Sequence, residues 1–173
     1  MVTPQALTQL KAFARQDGAF LSVIWLASLL CMFKCPNTTW GPLLMLTTPF
    51  FIIWRLTAFR ENILDGEISF RRALAYCCYV FFYASLLFAL GQYLYFEFID
   101  NGSFMQILDN SVELLKPVYI EHGFSGEELD LALKTIRLMK PIDLVFTFMT
   151  YNLFVGAIMS MLLAIVGKRI KRK

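Results

Sequence analysis

The sequence predicts an all-α fold: an integral membrane four-helix bundle with an extracytoplasmic amphipathic helical hairpin between spans three and four. Three observations predict it. Segments 73–96 and 144–167 are each 24 residues long without one charged side chain. About 20 apolar residues in a helix cross the hydrocarbon layer of a bilayer, and a helix with no polar face is a poor surface helix for a soluble protein. Two shorter apolar runs, 18–33 and 40–54, end on Lys34 and Arg55. Those long side chains can lay their carbon stems along lipid and keep their charges in the headgroup zone. Finally, the stretch between the last two runs has helical amphipathic patterns broken by turn residues. Of the 173 residues, 58% are hydrophobic and 17% charged, against about 45–50% and about 25% in an average soluble domain. The apolar excess sits in blocks, so a soluble helical protein with a greasy core is a poor fit. Spans are predicted near 18–35, 40–59, 73–97 and 142–167, within a single membrane domain covering 1–173.

From the N-terminus, Thr3 and Pro4 read as an N-cap and first helical position. Ala6, Leu7, Leu10, Phe13 and Ala14 recur at helical spacing, which predicts a short amphipathic helix on the membrane surface. Asp17-Gly18 would then turn the chain into span one. The first apolar run is followed by Lys34-Cys35-Pro36 and not by a small-residue cleavage site, so span one is expected to be retained. The short link 36–39 makes spans one and two an antiparallel hairpin. Pro49 is expected to kink span two, with the hydroxyls of Thr47 and Thr48 bonding the freed carbonyls. Loop 60–72 turns at Gly66.

The outer segment 98–140 is the largest part outside the membrane. From Glu97 to Lys140 it holds eight acidic and four basic residues. Ser103 could cap a helix over 104–115, with Pro117 and Gly123 breaking the pattern. Ser125 and Glu128 form a capping box for a second helix, about 126–139. This hairpin is expected to rest on the bilayer or on the spans.

Basic residues predict the orientation by the positive-inside rule. Four spans put both termini and loop 60–72 on one side, which carries eleven of the 16 basic residues. That side is expected to be the cytoplasm, in a multi-pass membrane protein. The tail Lys168–Lys173, with five cations in six residues, serves as a topology anchor and also suits anionic lipid.

Candidate functional residues are few. Asn152, Gly156, Ser160 and Ala164 recur every four residues in span four. Small residues let helix backbones approach closely in lipid, so this face either packs inside the bundle or docks a partner. Arg55, Arg60, Arg71 and Arg72 share one side and could contact lipid phosphate; snorkelling alone is the plainer reading of Arg55. Glu97 and Asp143 stand at similar depth near the outer surface and could bind a proton or a cation, or be unrelated surface acids. Gln92 could pair with Asn152. His122 is the only histidine, which argues against a His-based triad or a multi-histidine metal site. Cys31, Cys35, Cys77 and Cys78 lack zinc or redox spacing and read as packed thiols. No nucleotide loop or phosphate cradle is present, and no cofactor and no nucleic-acid partner are expected. The expected partners are membrane lipids, a further copy of the chain or another membrane protein.

Three places carry a family resemblance. They are Arg60 with the later run Gly66-Glu67-Ile68-Ser69-Phe70, the acidic outer helical segment, and the last span with its opening Pro141-Ile142-Asp143-Leu144 and its Asn152, Gly156 and Ser160. In these the chain resembles domain-of-unknown-function family 4199, small four-span inner-membrane proteins of Bacteroidota. The resemblance implies the same fold and location, supplies no catalytic residues, and implies companionship with polyprenyl-phosphate glycosyltransferases in envelope synthesis. The expectation is therefore a non-enzymatic accessory or scaffold protein. The alternative is a small transporter or flippase component for a lipid-linked substrate, which requires Arg55, Gln92, Glu97, Asp143 and Asn152 to face one cleft.

Overall fold

A computed structural model describes residues 4–35, 38–123 and 125–169, with side chains described for 7–35, 38–123 and 125–167. The expectations for Thr3, Ala6, Pro36 and Asn37, and for the side chains of the tail cations Lys168–Lys173, lie outside these. Among the described residues seven helices follow in order: α1 Pro4–Lys34, α2 Trp40–Leu46, α3 Thr48–Ile63, α4 Phe70–Phe98, α5 Ser103–Glu121, α6 Gly126–Leu138 and α7 Pro141–Arg169. Among the described residues there is no strand. Four stretches are long and apolar enough to cross a membrane: Leu7–Lys34, Trp40–Ile63, Phe70–Phe98 and Pro141–Gly167.

The first span differs from expectation. There is no separate surface helix and no turn at Asp17-Gly18; α1 runs unbroken from Pro4 to Lys34. The physical reason is one buried stripe that passes straight through the polar pair. Leu10, Ala14, Asp17, Leu21, Trp25 and Ser28 are all buried and follow three- and four-residue steps. Gly18 is a point of close approach to α4. A Cβ there would lie 2.7 Å from the Cβ of Tyr83 and 2.9 Å from the carbonyl of Val80.

Span two is broken, and it extends to Ile63 instead of ending near residue 59. The break falls at Thr47, two residues before Pro49. A proline has no N–H to give the preceding turn. At the break the Thr47 hydroxyl donates to the carbonyl of Leu44 at 2.6 Å, beside the backbone amide of the same residue. The two halves of the span keep different company. α2 packs on α1, where the Ser28 hydroxyl donates to the carbonyl of Gly41 at 2.6 Å. α3 touches α1, α4 and α7.

Helix α4 is the axis of the bundle and makes its most extensive contacts with α1 on one flank and α7 on the other. Phe81 of α4 fills the space above Gly156 of α7, where an added Cβ would meet the ring at 2.8 Å. At the far end of the bundle, Phe33, Phe96, Phe104 and Phe148 come together. Phe104 sits 5.3–6.2 Å from the other three rings, centroid to centroid, and so seats the start of α5 on the span ends.

The hairpin forms with two corrections. Its first helix does not stop near Pro117 but continues to Glu121. The chain reverses at Gly123, whose φ of +88° is the left-handed conformation that glycine adopts without strain. Ser103 is the first helical residue and not the cap; Asp100 Oδ1 accepts from the Phe104 amide at 3.2 Å. The capping box is present: the Ser125 hydroxyl accepts from the Glu128 amide at 3.1 Å, and Glu128 accepts from the Ser125 amide at 3.3 Å. Two ion pairs tie the helices together, Lys116–Asp130 at 3.0 Å and Arg137–Asp109 at 2.7 Å.

Candidate functional site

Three spans meet at one buried polar cluster. Asp17 of α1 is 1% exposed. Its Oδ1 accepts from Arg55 of α3 through both Nε and Nη2, each at 2.6 Å. Its Oδ2 accepts from the hydroxyl of Tyr76 of α4, which is fully buried. Tyr76 in turn stacks on Phe59 of α3, centroids 5.0 Å apart. The cluster lies inside the span region, since Tyr76 is six residues into α4, about 9 Å along the axis. A carboxylate at that depth is costly unless paired and hydrogen-bonded. Here both oxygens are occupied, so the site is charge-neutral and satisfied.

The fourth span is tied in by Arg60. Its Nη1 donates to the carbonyl of Gly167 at 2.9 Å, a buried contact, and its Nη2 lies 3.2 Å from Glu61. A cation on the last turn of α7 also suits the negative end of that helix.

These positions alter the reading of several predicted site residues. The Arg55 guanidinium bonds to Asp17, and that of Arg60 to the carbonyl of Gly167 at the end of α7. Arg71 is exposed and Arg72 half-buried. Gly156, Ser160 and Ala164 are buried within the chain, Gly156 directly against α4, and the Ser160 hydroxyl donates to the carbonyl of Gly156. Asn152, at the end of that face nearer the α5–α6 hairpin, is half-buried. Gln92 is buried, and its Oε1 has no hydrogen-bond partner among the described residues, so the pairing with Asn152 is not made. Glu97, Asp143 and His122 are all exposed. No three His, Cys, Asp or Glu side chains come together as a metal site among the described residues. Of the cysteines only Cys77 is fully buried; Cys35 and Cys78 are exposed.

Two surface furrows run between α4 and α7. One is lined by Ala75, Cys78, Phe82, Leu153 and Ala157, the other by Leu86, Leu90, Tyr93, Ile142 and Met149. Both are apolar, as lipid-facing grooves between spans should be, and neither is lined by Arg55, Gln92, Glu97, Asp143 or Asn152.

A family model described as a protein of unknown function, DUF4199, matches residues 16–169. The chain belongs to that family. No curated protein and no solved structure matches it. The part of the chain that DUF4199 matches begins one residue before Asp17 and ends at the last residue of α7, so it takes in the buried cluster, span one from residue 16 onward, the other three spans and the hairpin.

Sequence reading missed Asp17 and Tyr76 as partners. One signal was available: the apolar spacing of Leu10 and Ala14 continues in step through Asp17 to Leu21 and Trp25, which places the carboxylate on the packed face of one long helix.

Proposed function

We propose that this chain is a non-enzymatic accessory or scaffold protein of the bacterial inner membrane. Its termini lie in the cytoplasm, its α5–α6 hairpin lies outside, and it holds a membrane-associated partner by that hairpin. The single observation that carries the reading is the contrast between two surfaces. The small-residue face of α7 is buried within the chain. Among the described residues the hairpin has no buried one, and Leu131 and Leu138, one above the other on α6, are 65% and 78% exposed. Isolated apolar side chains at a surface are ordinary, but a pair on one helix face is a candidate interaction site. The distribution of lysine and arginine supports the orientation. The family resemblance points to an enzyme handling a polyprenyl-phosphate-linked sugar as the kind of partner.

Co-purification in mild detergent tests the reading. The intact chain brings down a membrane protein, and Leu131→Glu with Leu138→Glu abolishes that association while the bundle stays folded. A lone monomer, or a partner that the double substitution leaves bound, overturns it.

A carrier for a lipid-linked substrate is the second reading, and the Asp17–Arg55 pair is what favours it, because ionised residues within spans often mark transport paths. Against it, the pair is neutralised inside the chain and the other polar span residues occupy separate places. Asp17→Asn with Arg55→Gln leaves function in cells intact if the pair is structural and abolishes it if the pair carries substrate or protons.

A further inference from the structure

Helix α5 leaves the bundle with one side already committed. Phe104, in its first turn, is pressed onto Phe33 and Phe96 at the ends of α1 and α4 and onto Phe148, two turns into α7. The same side of α5 continues through Leu108, Ser111, Leu115 and Val118 at three-, four- and seven-residue steps. Ile107 and Leu114 flank it. Leu114, Leu115 and Val118 are exposed, Leu114 at 79%. Helix α6 does not cover this side. It holds α5 by Asp109 and Lys116, which lie round the helix from it.

We infer that α5 is an interfacial helix, with the face of Phe104, Leu108, Leu115 and Val118 seated in the headgroup–acyl boundary of the leaflet at which α4 ends and α7 begins. Three things on the structure select lipid as the occupant. The first is continuity. A side that points at the span ends at Phe104 points the same way further along. Val118 lies fourteen residues on, about 21 Å, beyond the roughly 10 Å spacing of neighbouring helices. Past the edge of the bundle, that direction meets bilayer. The second is the charge pattern. Asp109, Glu113 and Lys116 sit on the opposite side of α5 with Gln106, away from lipid phosphates, as an amphipathic helix in the membrane plane requires. The third is Ser111, the one polar residue on the apolar side. Its hydroxyl donates to the carbonyl of Ile107 at 2.7 Å, so it brings no unsatisfied group to the lipid.

The inference is independent of the scaffold reading. It needs no partner and holds whichever side of the membrane α5 occupies. If it is right, α5 anchors the hairpin flat and leaves the far side of α6 free.

The test uses the full chain in nanodiscs of phosphatidylcholine brominated near the headgroup. An environment-sensitive fluorophore is attached to a single cysteine at Leu115, Val118 or Glu113, with the four native cysteines replaced. Probes at 115 and 118 should be blue-shifted and quenched about threefold more than the probe at 113, as expected for a buried face and a wet face of one helix. Labelling of the unaltered chain by a diazirine phospholipid, mapped by mass spectrometry, gives the same reading without substitutions. Label is expected on Leu108, Leu115 and Val118 and not on Glu113. A blue shift without quenching, which means cover by protein, overturns the inference. So does a water-like spectrum at 115 and 118.

Discussion

The bundle and the hairpin are both helices packed on helices, yet different forces hold them. In the bundle, Asp17 and Tyr76 are buried and Arg55 is only 25% exposed, so the ion pair and its hydrogen bond sit away from water. In the hairpin no described side chain is buried, and the pairs Lys116–Asp130 and Arg137–Asp109 are open to solvent on both partners. The chemical groups are nearly the same. The difference is desolvation. An exposed pair contributes about 0–1 kcal/mol, whereas stripping one partner from a buried pair costs about 3–5 kcal/mol, because it strands a charge. The bundle is thus built to have one arrangement, and the hairpin is held by caps, weak pairs and whatever surface it rests on.

The largest expected effect breaks the comparison at its strong end. Asp17→Leu leaves the Arg55 guanidinium without its carboxylate and should cost about 3–5 kcal/mol, read as a lowered thermal midpoint in detergent. Adding Arg55→Leu should restore much of that loss; a double variant no better than the single one means that the pair does more than satisfy itself. Next comes close packing. Gly156→Leu forces a side chain into the ring of Phe81, already 2.8 Å from an added Cβ, and overpacking of this kind costs about 1–3 kcal/mol. Phe81→Ala in the same chain should recover part of it.

At the weak end, Ser125→Ala removes the capping hydroxyl of α6 and should lower local stability by about 1 kcal/mol. Hydrogen exchange should then quicken in α6 and stay unchanged in α4. Arg137→Ala should have the smallest effect, under about 1 kcal/mol and smaller still in high salt. A larger loss there, measured by the same exchange, would show that the hairpin is held more tightly than its exposure suggests.

The spans were legible because lipid imposes a long, uncharged run, and α4 and α7 meet that condition without interruption. The capping box was legible because Ser125 and Glu128 are three residues apart and need nothing else. Asp17 was not legible. A polar residue beside a glycine looks like a turn when its partner stands 38 residues away. Only the bundle shows that Gly18 is a point of close approach to α4 and that Asp17 meets Arg55 and Tyr76. The protein partners of Arg55 and Arg60 were not legible for the same reason: a cation at the end of an apolar run looks alike whether it reaches out to a phosphate or inward to Gly167. In the candidate sites, what was missed was pairing between distant spans, which periodicity does not encode.

The break at Thr47 and the pairing of Asp17 with Arg55 bear on how the chain is made. Both charged partners belong to the first two spans, joined by a short link, so the growing polypeptide can cancel that charge as soon as its second hydrophobic segment leaves the ribosome. The hairpin α1–α3 can therefore pass from translocon to lipid with that one pair already neutralised, without waiting for α4 to bring its tyrosine or α7 its closing turn.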